Sequence, residues 1–495
     1  MQSISNFMRA VLALQWISIF PMPCYALATS LESVCQSLEA STTLDVVLPS
    51  DSNYANLSEE NWSQTTWKSP ACILRPVSAE QIAAVLPQLV AGNISFAVRS
   101  GGHLPSPGAA NIDEGVLIDL SKFDHVTFDA EKGAASIGAG QRWLNVYTQL
   151  DKYNVTVVGG RVTDVGVGGL TLGSGLSYLS DLYGLVCDNV LAFQLVLGNG
   201  STVEANATQN PDLFWALKGG INNFGIVTNM VLRTYPIRQV WAGVKGYAVE
   251  QIPALFDALL EYQLTPNKDP YANLMIQGFA TNASLGVAVS MIYLKPEASP
   301  PAFSPFYRLN TTYDTTAITT LTEFLIRQGG PDLPRIDQRA TSFKPDAALY
   351  KKIANIAAHS PHLDAIRSAA AGSQAFGLQP ISASLVAAGR ARGGGNALGL
   401  EAANQTWMVL TSGWWSAADD AVVHGATRAM ADDIEGAARR ARRYVEYIFM
   451  NDAGADQAVI AHYGARNVAR LRRVQEAYDL GLVFQRLVPG GFKLP

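Results

Sequence analysis

The sequence predicts an α+β fold built from two or three structural units, and three observations support this expectation. First, the chain has 495 residues, of which 48% are hydrophobic and 16% charged, so it can bury a large core. Second, short β-branched segments alternate with Gly-rich turns and a helical segment between about residues 67 and 235. Third, residues 241 to 450 begin with strand patterns and continue into Ala-rich helical stretches, as a cap or substrate domain would.

The predicted elements of the first zone follow one another closely. Residues 78 to 91 have apolar side chains at helical spacing, and Ser78 is a suitable N-cap, so this segment is expected to be a helix. Strands are expected at residues 94–98, 116–119, 135–137 and 155–158. In the remainder, strands are expected at 274–279 and 286–294, a loop at 393–395 and a helix at 465–478.

The charge balance argues against several classes of partner. The chain has 36 Lys and Arg against 41 Asp and Glu, and no long block of one sign. A nucleic acid or an anionic membrane surface is therefore not expected as the main partner, and a small molecule is. After the N-terminus no stretch reaches about 18 uninterrupted apolar residues, so we expect no membrane span.

The N-terminal residues 1–28 have the pattern of a cleaved signal peptide. Arg9 precedes a short apolar stretch at 11–20, and Ala26-Leu27-Ala28 is a small-x-small cleavage site, although an amphipathic first helix is the alternative. Secretion and glycosylation are also favoured by an excess of Asn-x-Ser/Thr sequons. The nine sequons begin at Asn56, Asn61, Asn93, Asn154, Asn199, Asn206, Asn282, Asn310 and Asn404.

Three of the four cysteines remain if the signal peptide, with Cys24, is removed. An odd number suggests one disulfide bond and one free thiol. Cys35 and Cys72 are close in sequence and flank a polar stretch, so we expect them to pair. Cys187 lies in an apolar stretch and is expected to be a buried small hydrophobic residue.

Two Gly-rich segments suggest close approach of the backbone to a ligand. Arg99-Ser100-Gly101-Gly102-His103 follows a predicted strand, where paired glycines can expose converging N–H groups to phosphate oxygens; a structural turn with a surface histidine is the alternative. Residues 159–175 contain seven glycines, too many for a stable helix to be expected there. The alternative is a nicotinamide-type fingerprint, with Asp188 as the acid that binds ribose.

A third segment, residues 210–228, joins an aromatic helix to Gly219-Gly220 and a strand. Together with RSGGH and VGVGGLTLGSG, it closely resembles the flavin domain of the vanillyl-alcohol oxidase and p-cresol methylhydroxylase (PCMH) superfamily. Within that superfamily, it resembles berberine-bridge-enzyme-like oxidoreductases, particularly the secreted fungal type. The resemblance extends over nearly the whole mature chain, including Tyr463-Gly464 and Val483-Phe484-Gln485 near the C-terminus.

The resemblance implies a two-part PCMH-type FAD-binding domain at residues 67–238 and a substrate domain at 239–445, with an antiparallel sheet flanked by helices. Residues 446–495 would return to the flavin domain. FAD would be bound covalently through its 8α-methyl group by His103, whose neutral imidazole must lie close to that methyl. The residues expected to contact FAD are His103, Arg99, Ser100, Gly101, Gly102, Val165, Gly166, Gly168, Gly169, Gly173, Gly175, Gly220, Asn223, Gly225, Ile226, Val227 and Asn451.

Departures from the family pattern refine this expectation. Members with two covalent bonds to FAD have a cysteine at the position of Val162, so a single bond through His103 is expected. Val165 resembles the family's oxygen gate and favours reoxidation by O2. Asp452 occupies the place of a family tyrosine and is a candidate general base, because burial can raise a carboxyl pKa toward the working pH; Tyr447 is another candidate. A structural role in a turn is an alternative for Asp452.

These residues predict an FAD-linked oxidase that takes hydride from a small organic substrate and reduces O2 to H2O2. An intermediate of secondary metabolism is the favoured substrate, and a carbohydrate or alcohol is an alternative. Two other classes remain open: a cyclase or isomerase containing FAD, including a Diels-Alder type, and a secreted glycoprotein without catalysis. We expect no metal site. His359, His362, His424 and His462 are expected to be surface or packing residues.

Overall fold

The computed structural model describes residues 31–41, 43–281, 284–329 and 333–495. The predicted signal peptide and the sequon at Asn282 lie outside the described residues. Within the described residues, no helix has the length and apolar character needed to cross a membrane. The predicted α+β class is confirmed, since three sheets combine with helices.

The first sheet has four short strands in the order β1-β2-β4-β3. Two of its three strand pairings, β2 with β4 and β3 with β4, are parallel. Its members are β1 (Asp45–Val47), β2 (Cys72–Arg75), β3 (Phe96–Arg99) and β4 (Val116–Asp119). The strand expected at residues 94–98 thus begins two residues later. β2, β3 and β4 are almost entirely buried, which explains their continuous apolar sequence.

The second sheet is antiparallel, with the order β5-β6-β10-β8-β9 and β7 beside β10. It comprises β5 (Val126–Asp129), β6 (Ala134–Gly138), β7 (Thr156–Val157), β8 (Val190–Val196), β9 (Thr202–Asn206) and β10 (Ile226–Tyr235). β10 is the central strand, and its first residues, from Ile226, form the end of the third segment, residues 210–228. The sheet therefore delivers that segment to the same region as the loop after β3.

The third sheet is also antiparallel and has nine strands, in the order β14-β11-β13-β12-β17-β18-β16-β19 with β15 beside β11. They are β11 (Gln239–Tyr247), β12 (Ala272–Thr281), β13 (Leu285–Tyr293), β14 (Thr311–Asp314), β15 (Ala317–Thr320), β16 (Arg335–Phe343), β17 (Ser373–Ile381), β18 (Gln405–Trp414) and β19 (Tyr444–Val445). Helices α8 (Ile252–Leu264), α11 (Ala347–His359) and α14 (Asp420–Arg440) pack on this sheet through one apolar core.

The helices of the described chain are α1 (Leu31–Ser41), α2 (Tyr54–Ser58), α3 (Ala79–Ala91), α4 (Trp143–Asp151), α5 (Val167–Leu172), α6 (Ser180–Tyr183), α7 (Pro211–Leu217), α8 (Ile252–Leu264), α9 (Ser304–Tyr307), α10 (Leu321–Ile326), α11 (Ala347–His359), α12 (Pro361–Ser368), α13 (Ala383–Ala391), α14 (Asp420–Arg440), α15 (Ala465–Tyr478) and α16 (Val483–Arg486). The predicted helix at residues 78–91 is confirmed as α3, with Ser78 at its N-cap position. The helix expected at 465–478 is confirmed as α15.

One local expectation was wrong. The glycine-rich stretch from 159 to 175 was expected to contain no stable helix, yet Val167–Leu172 forms the six-residue helix α5. Val167 and Leu172 are both buried in the hydrophobic core that also contains residues of β6, β8 and β10, so tertiary packing outweighs the glycine cost of about 1 kcal/mol per residue. The short helix keeps the glycine backbone close to the loop after β3.

The predicted disulfide bond between Cys35 and Cys72 is present, and Cys187 is buried with a free thiol. The bond fastens α1 to the first sheet, across a sequence separation of 37 residues. Closing a loop of this length stabilises a fold by about 2 to 4 kcal/mol, chiefly by restricting the unfolded chain.

We therefore expect the double substitution Cys35→Ala and Cys72→Ala to lower the free energy of unfolding by about 2 to 4 kcal/mol. Chemical denaturation with and without reductant measures the effect. Cys187→Ala is the matched control, because it removes the thiol that is not in the bond. Wild type and the control should lose stability when reductant is added, and the double variant should not; a double variant that still responds to reductant would contradict the assignment.

Candidate functional site

A deep cavity lies where four parts of the chain meet. Its lining comes from the loop after β3, the segment leading into α5, the start of β10, and the C-terminal region after β19. The predicted residues that line it are Ser100, Gly101, Gly102, His103, Val165, Gly166, Gly168, Gly169, Gly225, Ile226, Val227, Asn451 and Asp452. Residues far apart in sequence are thus brought together, as a binding site for a large ligand requires.

The two Gly-rich segments touch each other back to back. A Cβ added to Gly101 would lie 2.5 Å from the Cα of Gly166, and one added to Gly166 would lie 2.4 Å from the nitrogen of Gly101. Both positions therefore require glycine. Ser100 links the segments, since its Oγ donates to the carbonyl of Ala139 at 2.6 Å and accepts from the N–H of Gly168 at 3.2 Å.

Arg99 lies beneath this loop and not in the lining of the cavity. Its side chain is 1% exposed and forms a buried ion pair with Asp119, while Nη1 donates to the carbonyl of Leu57 at 2.7 Å. Burying a guanidinium requires such compensation. Arg99 thus anchors the base of the loop to β4 through Asp119 and to α2 through the carbonyl of Leu57.

His103 lines the cavity next to the glycine pair. Its ring stacks on Trp62 with the centroids 4.1 Å apart, and the N–H of Trp62 donates to the carbonyl of Gly102 at 3.0 Å. Burial lowers the pKa of His103 from 6.5 to about 4. The imidazole is therefore neutral at physiological pH, with a nitrogen lone pair available for bond formation.

Asn451 connects the C-terminal region to the second Gly-rich segment. Its Oδ1 accepts from the N–H of Gly175 at 3.0 Å, and its Nδ2 donates to the carbonyl of Leu170 at 3.3 Å. A Cβ at Gly173 would lie 2.5 Å from Nδ2, so that glycine makes room for the amide. Gly173 and Gly175 do not line the cavity; they fix Asn451, which does.

Gly220 and Asn223 also lie outside the lining of the cavity. The Nδ2 of Asn223 donates to the carbonyl of Gly220 at 2.9 Å and to that of Phe492 at 2.8 Å. Phe492 itself lines the cavity, together with Gly491. The two predicted residues therefore hold the C-terminal tail against the site.

Asp452 places a carboxyl group at the cavity wall. Gln379, which is buried on β17, donates from Nε2 to Asp452 Oδ2 at 2.7 Å. Burial raises the pKa of Asp452, and the positive charge of Arg161 and the hydrogen bond from Gln379 partly oppose that rise. The carboxylate is thus less acidic than usual and is suited to accept a proton.

Tyr447, the second candidate base, does not reach the cavity. It is buried between Trp407 and Tyr463, with ring centroids 4.9 Å and 6.1 Å away. Burial raises the pKa of its phenol, which makes proton release harder. Of the two candidates, only Asp452 lines the cavity.

Among the residues that sequence reasoning missed are Arg161 and Gln338, which line the cavity, and Gln379, which is outside the lining but binds Asp452. Arg161 directly follows Gly159-Gly160, so the Gly-rich motif itself could have indicated it. Gln338 and Gln379 lie on strands of the third sheet without a local motif. Asp188, the acid of the nicotinamide alternative, lies elsewhere and is bound by Asn396 at 2.8 Å. The described residues contain no cluster of three potential metal ligands among His, Cys, Asp and Glu.

Comparisons with known proteins agree with this geometry. A family model described as "FAD binding domain" matches residues 70–206. FAD-dependent monooxygenase AOL_s00215g279 of Arthrobotrys oligospora is 39% identical over 89% of this chain and 86% of that protein. Bifunctional solanapyrone synthase of Alternaria solani is 34% identical over 93% and 88%. The solved 6-hydroxy-D-nicotine oxidase of Arthrobacter nicotinovorans, 23% identical, has a similar fold with a TM-score of 0.75, covering 92% of this chain and 98% of that one.

Proposed function

Since the chain belongs to the PCMH-type family of FAD-dependent oxidoreductases, we propose that His103 holds FAD by a single covalent bond and that the enzyme oxidises a small organic substrate with O2. The observation that carries this proposal is one cavity that presents a neutral imidazole, a glycine cradle and a buried carboxylate. The proposed substrate is an intermediate of secondary metabolism. The similarity to a bifunctional solanapyrone synthase supports this proposal.

The glycine cradle fits a phosphate-bearing cofactor. Within the described chain, the N–H groups of Gly101 and Gly102 have no hydrogen-bond acceptor, although both residues are buried at the cavity wall. Buried N–H groups are normally satisfied, so these two are suited to oxygen atoms of a bound ligand. Gly169 is exposed to the cavity, and a Cβ added there would meet no protein atom within 4 Å. Its lack of a side chain is required by the ligand and not by the protein.

This difference between glycines gives a direct test. We expect Gly169→Val to fold with a Tm close to that of wild type and to retain less than about a tenth of the bound FAD, because the added side chain would project into the cofactor cavity. Gly101→Ala is the contrasting variant; it should lower Tm as well, because its Cβ would collide with Gly166. Flavin absorbance per protein and thermal unfolding measure both effects. Full FAD occupancy in Gly169→Val would contradict the placement of the cofactor.

FAD, when bound, would supply the two-electron acceptor for hydride from a substrate C–H bond, and O2 would take up the electrons to give H2O2. The residues of the chain provide the rest. His103 would fix the cofactor beside the glycine pair, Asn451 braces the α5 segment, and Asp452 would accept the proton that leaves the substrate. Gln379 holds the Asp452 carboxylate through its amide N–H, which keeps one oxygen directed and available.

Two valines of the lining support a single covalent bond to FAD and the use of O2. Val162 and Val165 both face the cavity. An alkyl side chain at position 162 has no sulfur for a second covalent bond to FAD, so attachment rests on His103 alone. Val165 is small, which leaves space for O2.

Oxidase chemistry is distinguishable from monooxygenation, the activity in the printed name of the Arthrobotrys relative. With a panel of aromatic and polyketide alcohols under ¹⁸O2, an oxidase should release one H2O2 per product molecule and incorporate no ¹⁸O into that product. Product that carries ¹⁸O would overturn the oxidase assignment in favour of a monooxygenase. Turnover without O2 consumption would overturn it in favour of a cyclase.

We also propose that the protein enters the secretory pathway. The predicted signal peptide, the Cys35–Cys72 bond and exposed sequons support this. The exposed acceptors are Asn56, Asn93, Asn154, Asn199 and Asn310, whereas Asn61 is buried against Arg99. A mass that does not change on enzymatic deglycosylation of the protein from a fungal host would contradict glycosylation.

A further inference from the structure

Arg161 lines the cavity, and the oxidation proposed above assigns no role to its positive charge. Within the described residues, no carboxylate lies within ion-pair distance of its guanidinium; its contacts are with Gln379, Met275 and Tyr178. Two other arginines, both largely buried, are paired with carboxylates: Arg99 with Asp119, and Arg335 with Asp420. A partly buried guanidinium that makes no direct ion pair is costly, and such groups commonly await a ligand.

The contacts of Arg161 place it on the substrate side of the cavity. Nη2 donates to Gln379 Oε1 on β17, and Nη1 lies 3.5 Å from the sulfur of Met275 on β12. The guanidinium carbon lies 5.7 Å from the ring centre of Tyr178. Both strands belong to the third sheet. A guanidinium has five N–H donors in a planar fork, and these contacts leave several of them free for the cavity.

Gln379 separates this cation from the proposed base. Its Oε1 accepts from Arg161 and its Nε2 donates to Asp452 Oδ2, so the amide stands between the two charges. Direct pairing of Arg161 with Asp452 would neutralise both groups. The intervening amide instead leaves a donor fork and a carboxylate oxygen side by side at the cavity wall.

We propose that Arg161 binds an anionic oxygen of the substrate, which makes the substrate class an organic acid in the broad sense: a carboxylate, a phenolate or an enolate. The proposal rests on the oxidoreductase function proposed above. Charge-assisted hydrogen bonds to a planar oxyanion are strong and directional. They would hold the substrate so that its reacting C–H bond faces both the flavin and Asp452. A carbonyl oxygen of the flavin itself is the other source of such an acceptor, and the test distinguishes it.

The probes are benzoate and its neutral isostere benzamide, each titrated into the holoenzyme by isothermal calorimetry. We expect benzoate to bind the Arg161→Met variant at least tenfold more weakly than it binds wild type. The affinity for benzamide should differ between the two proteins by less than about twofold. Arg161→Lys should retain part of the benzoate affinity, because it keeps the charge. Arg308→Met is the matched control, since Arg308 pairs with Glu261 on the surface; it should leave both affinities unchanged.

Three results would overturn the proposal. They are no benzoate binding to wild type, equal benzoate affinity in wild type and Arg161→Met, and an equal loss for benzoate and benzamide. If Arg161→Met shifts the reduction potential of the bound flavin and leaves benzoate affinity unchanged, the cation serves the cofactor and not the substrate. Failure of the proposed function is recognised separately, because wild type would then lack flavin absorbance while calorimetry still reports benzoate binding.

Discussion

Asp452→Asn is expected to lower kcat by about 10²- to 10⁴-fold, the usual contribution of a positioned general base. The amide has the shape of the carboxylate and can still accept the hydrogen bond from Gln379, so the cavity wall should keep its form. What it loses is the ability to take a proton. FAD occupancy, the flavin absorption spectrum and Tm should therefore stay close to those of wild type.

The pH profile gives this prediction a signature that a structural role would not produce. Burial raises the pKa of Asp452, and the base acts only when deprotonated. The kcat/KM of wild type should therefore fall as the pH decreases through that raised pKa, by about tenfold per pH unit below it. In Asp452→Asn the residual rate should show no such acid limb.

Asp456→Asn is the matched control for this experiment. Asp456 lies four residues further along and pairs with Arg339 and Arg428 outside the cavity lining. Its substitution should leave kcat within about twofold of wild type. Asp452→Asn with more than a third of the wild-type kcat, or with an unchanged acid limb, would show that another group removes the proton.

His103→Ala is expected to abolish covalent attachment of FAD entirely, because no other nucleophile is proposed to reach the flavin. The variant should still bind some FAD reversibly, since the glycine cradle is intact. In wild type, the imidazole has a pKa of about 4 and is neutral above about pH 5. Covalent incorporation of FAD into apo-protein should therefore proceed at a rate that is nearly constant between pH 5.5 and pH 8.

A histidine with its ordinary pKa of 6.5 would give a different result. The incorporation rate would fall below about pH 6.5, because the protonated imidazole has no free lone pair. Stopped samples analysed by flavin fluorescence after acid precipitation measure the rate. A strong decrease between pH 6.5 and pH 5.5 would contradict the burial of His103 next to Trp62.

The parts of the fold that depend on local pattern could be predicted from the sequence. Helix α3 follows from its apolar spacing and Ser78, the disulfide bond from the number and context of the cysteines, and the α+β class from the alternation of elements. The two Gly-rich motifs and His103 also follow from the sequence, although the place where they meet does not. Each of these signals lies within a short stretch of sequence.

The rest depends on contacts between distant segments. Gln379 is 73 residues from the carboxyl group that it binds, and no motif surrounds it. Helix α5 forms because Val167 and Leu172 are buried, which residue propensities alone do not indicate. Arg99, Gly220 and Asn223 were expected to contact FAD, and the structure places them behind the cavity wall, where they hold the loop and the C-terminal tail. Tertiary packing decides all of these cases.

In-gel flavin fluorescence after acid denaturation tests the central claim most directly. Wild type, His103→Ala and the control His424→Ala should be compared; His424 pairs with Asp337 on the third sheet, away from the cavity lining. The account predicts fluorescent bands for wild type and the control, and a dark band for His103→Ala. A dark wild-type band, or a His103→Ala band as bright as wild type, would contradict covalent attachment of FAD at His103.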